Sequence, residues 1–162
     1  MRDPQPVPGP ARRHMPPVLA WDIGIPPNIR PAIETALHPA LAAAPSWCGE
    51  LSVFYQTAGE NGGMAEMFMH PEYRRASLYV YAPWLALTVP ERAEVVQHEV
   101  VHLAVQPMKN AMDDLLEAFP DAPPPLQQWA RKQFRRAMEG AVCDLTAAVC
   151  RARGLMVDGG PP

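Results

Sequence analysis

Thr88-Val89-Pro90-Glu91-Arg92-Ala93-Glu94-Val95-Val96-Gln97-His98-Glu99-Val100-Val101-His102-Leu103 is the stretch whose reading decides the fold. Thr88 and Glu91 have the spacing of a capping box, and Pro90 is tolerated in a first turn whose N–H groups have no helical partner anyway. The pattern predicts a helix running to about Gln106, with Pro107 as its stop. Val96, Val100 and Leu103 recur at helical spacing and give that helix an apolar stripe for packing. The opposite side carries His98-Glu99-x-x-His102. Histidines at i and i+4 project from one face one turn apart, so both imidazoles can grip one metal ion. The glutamate after the first histidine stands beside such an ion, where it can take a proton from a water that the ion has acidified.

Upstream of this helix the pattern is one of short strands. Leu51 to Gln56 alternates through Leu51, Val53 and Tyr55, Gly59 to Gly63 reads as a turn, and Met64 to Met69 and Ala76 to Tyr81 read as two further strands. Three strands in succession predict a meander. Ahead of them a helix is expected with Asn28 as N-cap, Pro31 in its first turn and Ile33, Leu37 and Leu41 on one face; Pro39 should kink or end it near His38. Downstream, a short helix over about Lys109 to Phe119 is followed by a stiff connector with Pro120, Pro123, Pro124 and Pro125. A long helix then runs from about Leu126 to Arg153, with Gly154 as its C-cap. Residues 1–17 carry six prolines and read as an extended tail, 18–154 as one domain and 155–162 as a second tail. The fold class is α+β: a small antiparallel or mixed three-stranded sheet packed on the His-Glu-x-x-His helix and on the long C-terminal helix.

Composition narrows the function. The chain has 162 residues, 48% of them apolar, and a formal net charge of -3, and it shows no basic cluster of the kind that tracks a phosphate backbone. Nucleic acid is therefore not an expected partner. Eighteen apolar residues never follow one another, and the only apolar run among the first thirty residues, Val18 to Trp21, is too short for a secretory leader. Cys48, Cys143 and Cys150 are odd in number and form no CxxC pair. Cys143 and Cys150 fall two turns apart on one expected helix, roughly 10 Å, beyond disulfide reach. Reduced thiols, no membrane segment and a cytoplasmic location are the expectations.

Two imidazoles do not complete a catalytic zinc site, which needs a third protein ligand. The metzincin extension requires glycine at position 105 and histidine at 108, where this chain has Val105 and Met108. A carboxylate is the alternative, from Asp113, Asp114, Glu117, Glu139 or Asp144. Glu139 stands out because it lies mid-helix among Met138, Ala141, Val142 and Leu145, where a charge needs a partner. The competing reading pairs it with Arg135 or Arg136 on a solvated helix face. Cys143, one turn beyond Glu139, reads as a small buried residue sooner than as a thiol ligand. Tyr73, Tyr79 and Tyr81 read as packing residues sooner than as stabilisers of an oxyanion, and His70 could line the cleft from a strand end.

A His-Glu-x-x-His helix followed by a helix with a lone glutamate resembles the gluzincin branch of the zincin metallopeptidases. Trp84, Pro90, Glu91-Arg92, the run from His98 to Leu103 and a late Glu139-x-x-Val142-x-x-Leu145 are similar to small phage and bacterial metallopeptidase-like proteins. The resemblance spans roughly Leu51 to Val149. It implies one zinc ion on His98, His102 and Glu139, with Glu99 as the general base of peptide-bond hydrolysis. It also implies that a peptide or protein substrate adds to an edge strand, mapped to Met64 to Met69. The chain departs from the thermolysin-like pattern at position 143, which is cysteine where an aspartate would orient the first histidine; Asp144 comes one residue late. Two alternatives stay open: a catalytically silent zinc-binding accessory protein, and a narrow regulatory protease acting on one protein partner.

Overall fold

The computed structural model describes residues 15–59 and 62–154. Residues 1–14 and 155–162, where most of both expected tails fall, lie outside it, as do Glu60 and Asn61 of the expected turn. In chain order the elements are β1 (Val18–Trp21), α1 (Arg30–Ala40), β2 (Glu50–Gln56), β3 (Ala65–His70), β4 (Arg75–Tyr81), α2 (Val89–Glu117) and α3 (Pro124–Ala152), with single 3-10 turns at Leu41–Ala43, Pro71–Tyr73 and Ala82–Ala86. The class is α+β, with a four-stranded mixed sheet in place of the expected three-stranded one.

The strand order is β1-β2-β4-β3, which corrects the expected meander. β1, β2 and β4 run parallel, and β3 pairs antiparallel with β4 alone. Burial explains the order. Ala76, Leu78 and Val80 of β4 are almost wholly buried, so β4 takes a central place, whereas Phe68 and His70 of β3 are exposed and suit an edge. The short run Val18 to Trp21 becomes a strand because it pairs with Glu50 to Val53, a long-range contact that four residues do not announce.

One face of the sheet carries the core. Leu51, Val53, Met67, Leu78 and Val80 pack against Ile33 and Leu37 of α1 and Val96, Val100 and Leu103 of α2. The stripe expected on the His-Glu-x-x-His helix is thus the stripe that is buried. The other face carries Phe54 stacked on Tyr79 at 4.7 Å and Phe68 edge-on to the same ring at 5.3 Å. A smaller cluster of Val101, Val105, Met138 and Val142, with Phe134 against it, joins α2 to α3.

Helix ends follow the sequence in part. Thr88 and Glu91 form the expected capping box, and Gly154 takes a φ of 64° just past α3, a conformation that glycine reaches without a Cβ penalty. Asn28 does not cap α1: Ile29 stands at the cap with no side-chain hydrogen bond, and the helix continues through Pro39 to Ala40. Pro107 does not end α2 either; the helix passes through it, absorbs the short helix expected after it and ends at Glu117. A proline removes the N–H that would bond to the carbonyl four residues back, here that of Leu103. The indole Nε1 of Trp47 donates to that carbonyl at 3.2 Å, so the helix continues without a buried acceptor left empty. Among the described residues no helix is long and apolar enough to cross a membrane, and Cys48, Cys143 and Cys150 are free thiols.

Candidate metal centre

His98 and His102 stand on the side of α2 turned away from the sheet core, toward α3. Their Nε2 atoms lie 3.2 Å apart, and the rings meet edge to face with centroids 4.9 Å apart. Glu139 reaches them from α3, with Oε2 3.8 Å from Nε2 of His98 and 3.6 Å from Nε2 of His102. The small α2–α3 cluster fixes this approach, because Met138 and Val142, on either side of Glu139 in sequence, are buried against Val101 and Val105. The alternative pairing of Glu139 with Arg135 or Arg136 does not form.

These three side chains are a group that could hold a metal ion, each offering one ligand atom. The donor triangle has edges of 3.2, 3.6 and 3.8 Å. A tetrahedral ion with ligands at about 2.0–2.2 Å needs donors about 3.3–3.5 Å apart, so shifts of a few tenths of an ångström fit the triangle to one. The donor chemistry agrees: two imidazoles and a carboxylate are a nitrogen–oxygen set. Burial holds both histidines below the usual imidazole range, His98 against the pull of Glu139 and Glu94 and His102 against that of Glu139. A lowered value favours the neutral ring, the form that ligates.

Glu99 lines the same cleft without belonging to the ligand triangle. Burial, the nearby charge of Glu139 and to a smaller degree that of Glu66 raise its carboxyl to about 7, against the backbone N–H of Met67, which donates to it. A carboxyl with that value is poised to exchange a proton near neutral pH. Met67 belongs to β3, and the register explains why its N–H is available. Met64 accepts from the N–H of Tyr81, so Glu66, Phe68 and His70 are the residues that exchange backbone hydrogen bonds with β4. The backbone groups of Ala65, Met67 and Met69 therefore point outward from the sheet, and all three residues line the cleft.

The other residues singled out in the sequence lie elsewhere. Asp113 sits farther along the cleft, bonded to Lys109 at 3.2 Å and Arg131 at 3.0 Å. Asp114, Glu117, Cys143 and Asp144 are exposed, and Cys143 is not the small buried residue expected. His70, Tyr79 and Tyr81 border a groove on the opposite face of the sheet, and Tyr73 is exposed, so none of them lines the cleft of His98, His102 and Glu139. Sequence reading missed Trp47, whose role depends on Pro107 being inside a helix. It also missed the pair formed by Gln97 and Arg153: the guanidinium donates to the buried Gln97 amide oxygen at 2.7 Å and to the carbonyl of Pro39. That bond ties the end of α3 to the residue just before His98. A buried glutamine on an otherwise apolar stripe was the signal available for it.

Compared with protein-family models, with curated proteins and with solved structures, the chain finds no match in any of the three. The functional reading therefore rests on the geometry and chemistry of the site itself.

Proposed function

We propose that this chain is a zinc-dependent metallopeptidase with a minimal zincin-like fold, hydrolysing peptide bonds in the cleft between β3, α2 and α3. One observation carries the reading: Glu139, from a helix remote in sequence, converges on the His98–His102 pair to complete a three-ligand set. His98, His102 and Glu139 would hold the ion. When bound, zinc supplies Lewis-acid polarisation of the scissile carbonyl and lowers the pKa of water. Glu99, held by the Met67 N–H, takes the proton from the attacking water at its carboxylate and hands it to the leaving amine. The outward N–H and C=O groups of Ala65 and Met69, with the C=O of Met67, whose N–H is engaged by Glu99, would bind an extended peptide backbone as an added strand and set the bond across the site.

The test begins with metal content by elemental mass spectrometry on protein purified without a metal-binding tag, native beside His98→Ala. About one equivalent of zinc, lost in the variant, is expected. Glu99→Gln should retain the zinc and lose hydrolysis of an unfolded-protein or peptide library. Zinc present in the native protein with no hydrolysis of any library member favours the silent zinc-binding reading, unless Glu99→Gln protein captures a single protein partner, which gives the one-partner protease instead. No zinc at all, even when supplied, overturns both.

A further inference from the structure

The cleft is longer than the metal centre, and its two ends differ in charge. A cavity of about 700 Å3 on one side and one of about 460 Å3 on the other share Ala65, His98 and Glu99, so they adjoin at the site and flank it as the two ends of a groove. All three walls order it the same way. Along α2, Glu91 and Glu94 precede the histidines and Lys109 and Asp113 follow them. Along α3, Cys143 and Thr146 lie on one side of Glu139 and Arg131 and Arg135 on the other. Along the third wall, Met64, just before β3, lines the first end, Ala65 lines both, and Met67 and Met69 line the second.

The first end carries Glu91 and Glu94 with no cation among its lining residues. The second carries Lys109, Arg131 and Arg135; of its carboxylates, Asp113 is paired with Lys109 and Arg131, Glu66 accepts from the Tyr81 hydroxyl at 3.0 Å, and Glu99 and Glu139 belong to the site itself, which leaves Arg135 as the cation facing the groove without an ion-pair partner among the described residues. From this groove we infer that the substrate is a charge-ordered peptide, with acidic residues before the scissile bond and basic residues after it. The order follows from strand direction. A peptide adding antiparallel to β3, the more stable pairing, enters at the Met69 end, beside Arg131 and Arg135, and leaves at the Ala65 end, beside Glu94. Arg135 and Glu94 are then the residues that determine specificity. This inference rests on the peptidase reading, because it takes the groove's occupant to be an extended peptide.

Two fluorescein-labelled decapeptides of identical composition test it, one with three glutamates, four apolar residues and three lysines in that order, the other with the blocks reversed. Binding is read by fluorescence anisotropy on zinc-loaded Glu99→Gln protein. The acid-first peptide should bind about tenfold tighter at low salt, with the margin shrinking at high salt as the rim charges are screened. The double variant Arg135→Glu with Glu94→Lys should invert the preference. Equal affinities, preference for the reversed peptide, or binding of neither overturns the inference. Hydrolysis by the native protein separates the two readings. Cleavage of both peptides at equal rates keeps the peptidase and removes the charge order, whereas ordered binding without cleavage keeps the charge-sorting groove and removes the peptidase.

Discussion

Between Val89 and Gln106, helix α2 buries eight of its side chains, whereas from Pro107 to Glu117 it buries none. The first half is pressed on one side against the sheet core through Val96, Val100 and Leu103, and on the other against α3 through Val101 and Val105. The second half has the early turns of α3 for company, with exposed Met108 and Leu115 and an ion-pair link from Asp113 to Arg131. One continuous helix is thus held in two ways, by packing where His98 and His102 stand and by its own hydrogen bonds and surface charges beyond them. Precision is spent where two imidazoles meet a carboxylate from another helix, and the less anchored stretch contributes Lys109 to the basic end of the groove, across from Arg131 and Arg135 of α3. Exposed ion pairs contribute little, so the second half should be the first part of α2 to open.

The largest contrast is expected in metal binding. His102→Ala, in the packed half, should weaken zinc binding by more than about 100-fold, and Glu139→Gln should also weaken it strongly. Asp113→Asn, in the second half, should leave it unchanged. Competition with a chromophoric chelator measures all three. An unchanged affinity in Glu139→Gln would pass the third-ligand role to another carboxylate.

Stability should show the same division. Leu103→Ala removes a side chain with no exposure and should cost about 3 kcal/mol, while Leu115→Ala, which is 53% exposed, should cost less than about 0.5 kcal/mol in urea unfolding. Comparable costs would mean that the second half is packed after all. These two leucines also show what could be read in advance. Val96, Val100 and Leu103 were legible as a buried stripe because period and capping box agreed with the final packing. The strand order was not legible, since whether β4 or β3 lies beside β2 depends on which strand needs two neighbours, a property of the assembled sheet. In the site, the histidine pair and Glu99 were legible from local spacing alone. Glu139 was legible as a charge needing a partner, and its partner only as an expectation. The hold of Met67 on Glu99 had no local signal, because a backbone donor on an edge strand looks like any other residue in the sequence.

Glu99 gives the packed half a signature in pH. Its carboxyl stands at about 7 in the fold against an ordinary 4.5, so folding favours the protonated form. For such a group stability is fully present below pH 4.5 and is lost as pH rises through 7. His98 and His102, held low, act in the opposite sense: their contribution is present above 6.5 and is lost as pH falls through their depressed values. Glu99→Gln removes the first effect and keeps the second. In chelator-treated protein the variant should therefore be more stable than the native chain at pH 8, by on the order of 2 kcal/mol, with the difference vanishing near pH 4. A gain of equal size at both pH values would show that the carboxyl is not held protonated by its surroundings.

The smallest effect falls on the boundary between the halves. At Pro107 the Leu103 carbonyl loses its helical donor, and Trp47 replaces it from outside the helix. Trp47→Phe keeps most of the ring and removes the N–H, so it should cost about 1 kcal/mol by leaving that acceptor empty. Pro107→Ala restores a backbone N–H four residues beyond Leu103, which makes the indole bond redundant. The two changes should therefore be non-additive: Trp47→Phe should cost about 1 kcal/mol less in the Pro107→Ala background than in the native one. Amide exchange from residue 108 to 117 should rise in Trp47→Phe and fall back in the double variant. Additive costs would mean that α2 crosses Pro107 without help from the indole, and the continuity of the helix would then have to come from α3 alone.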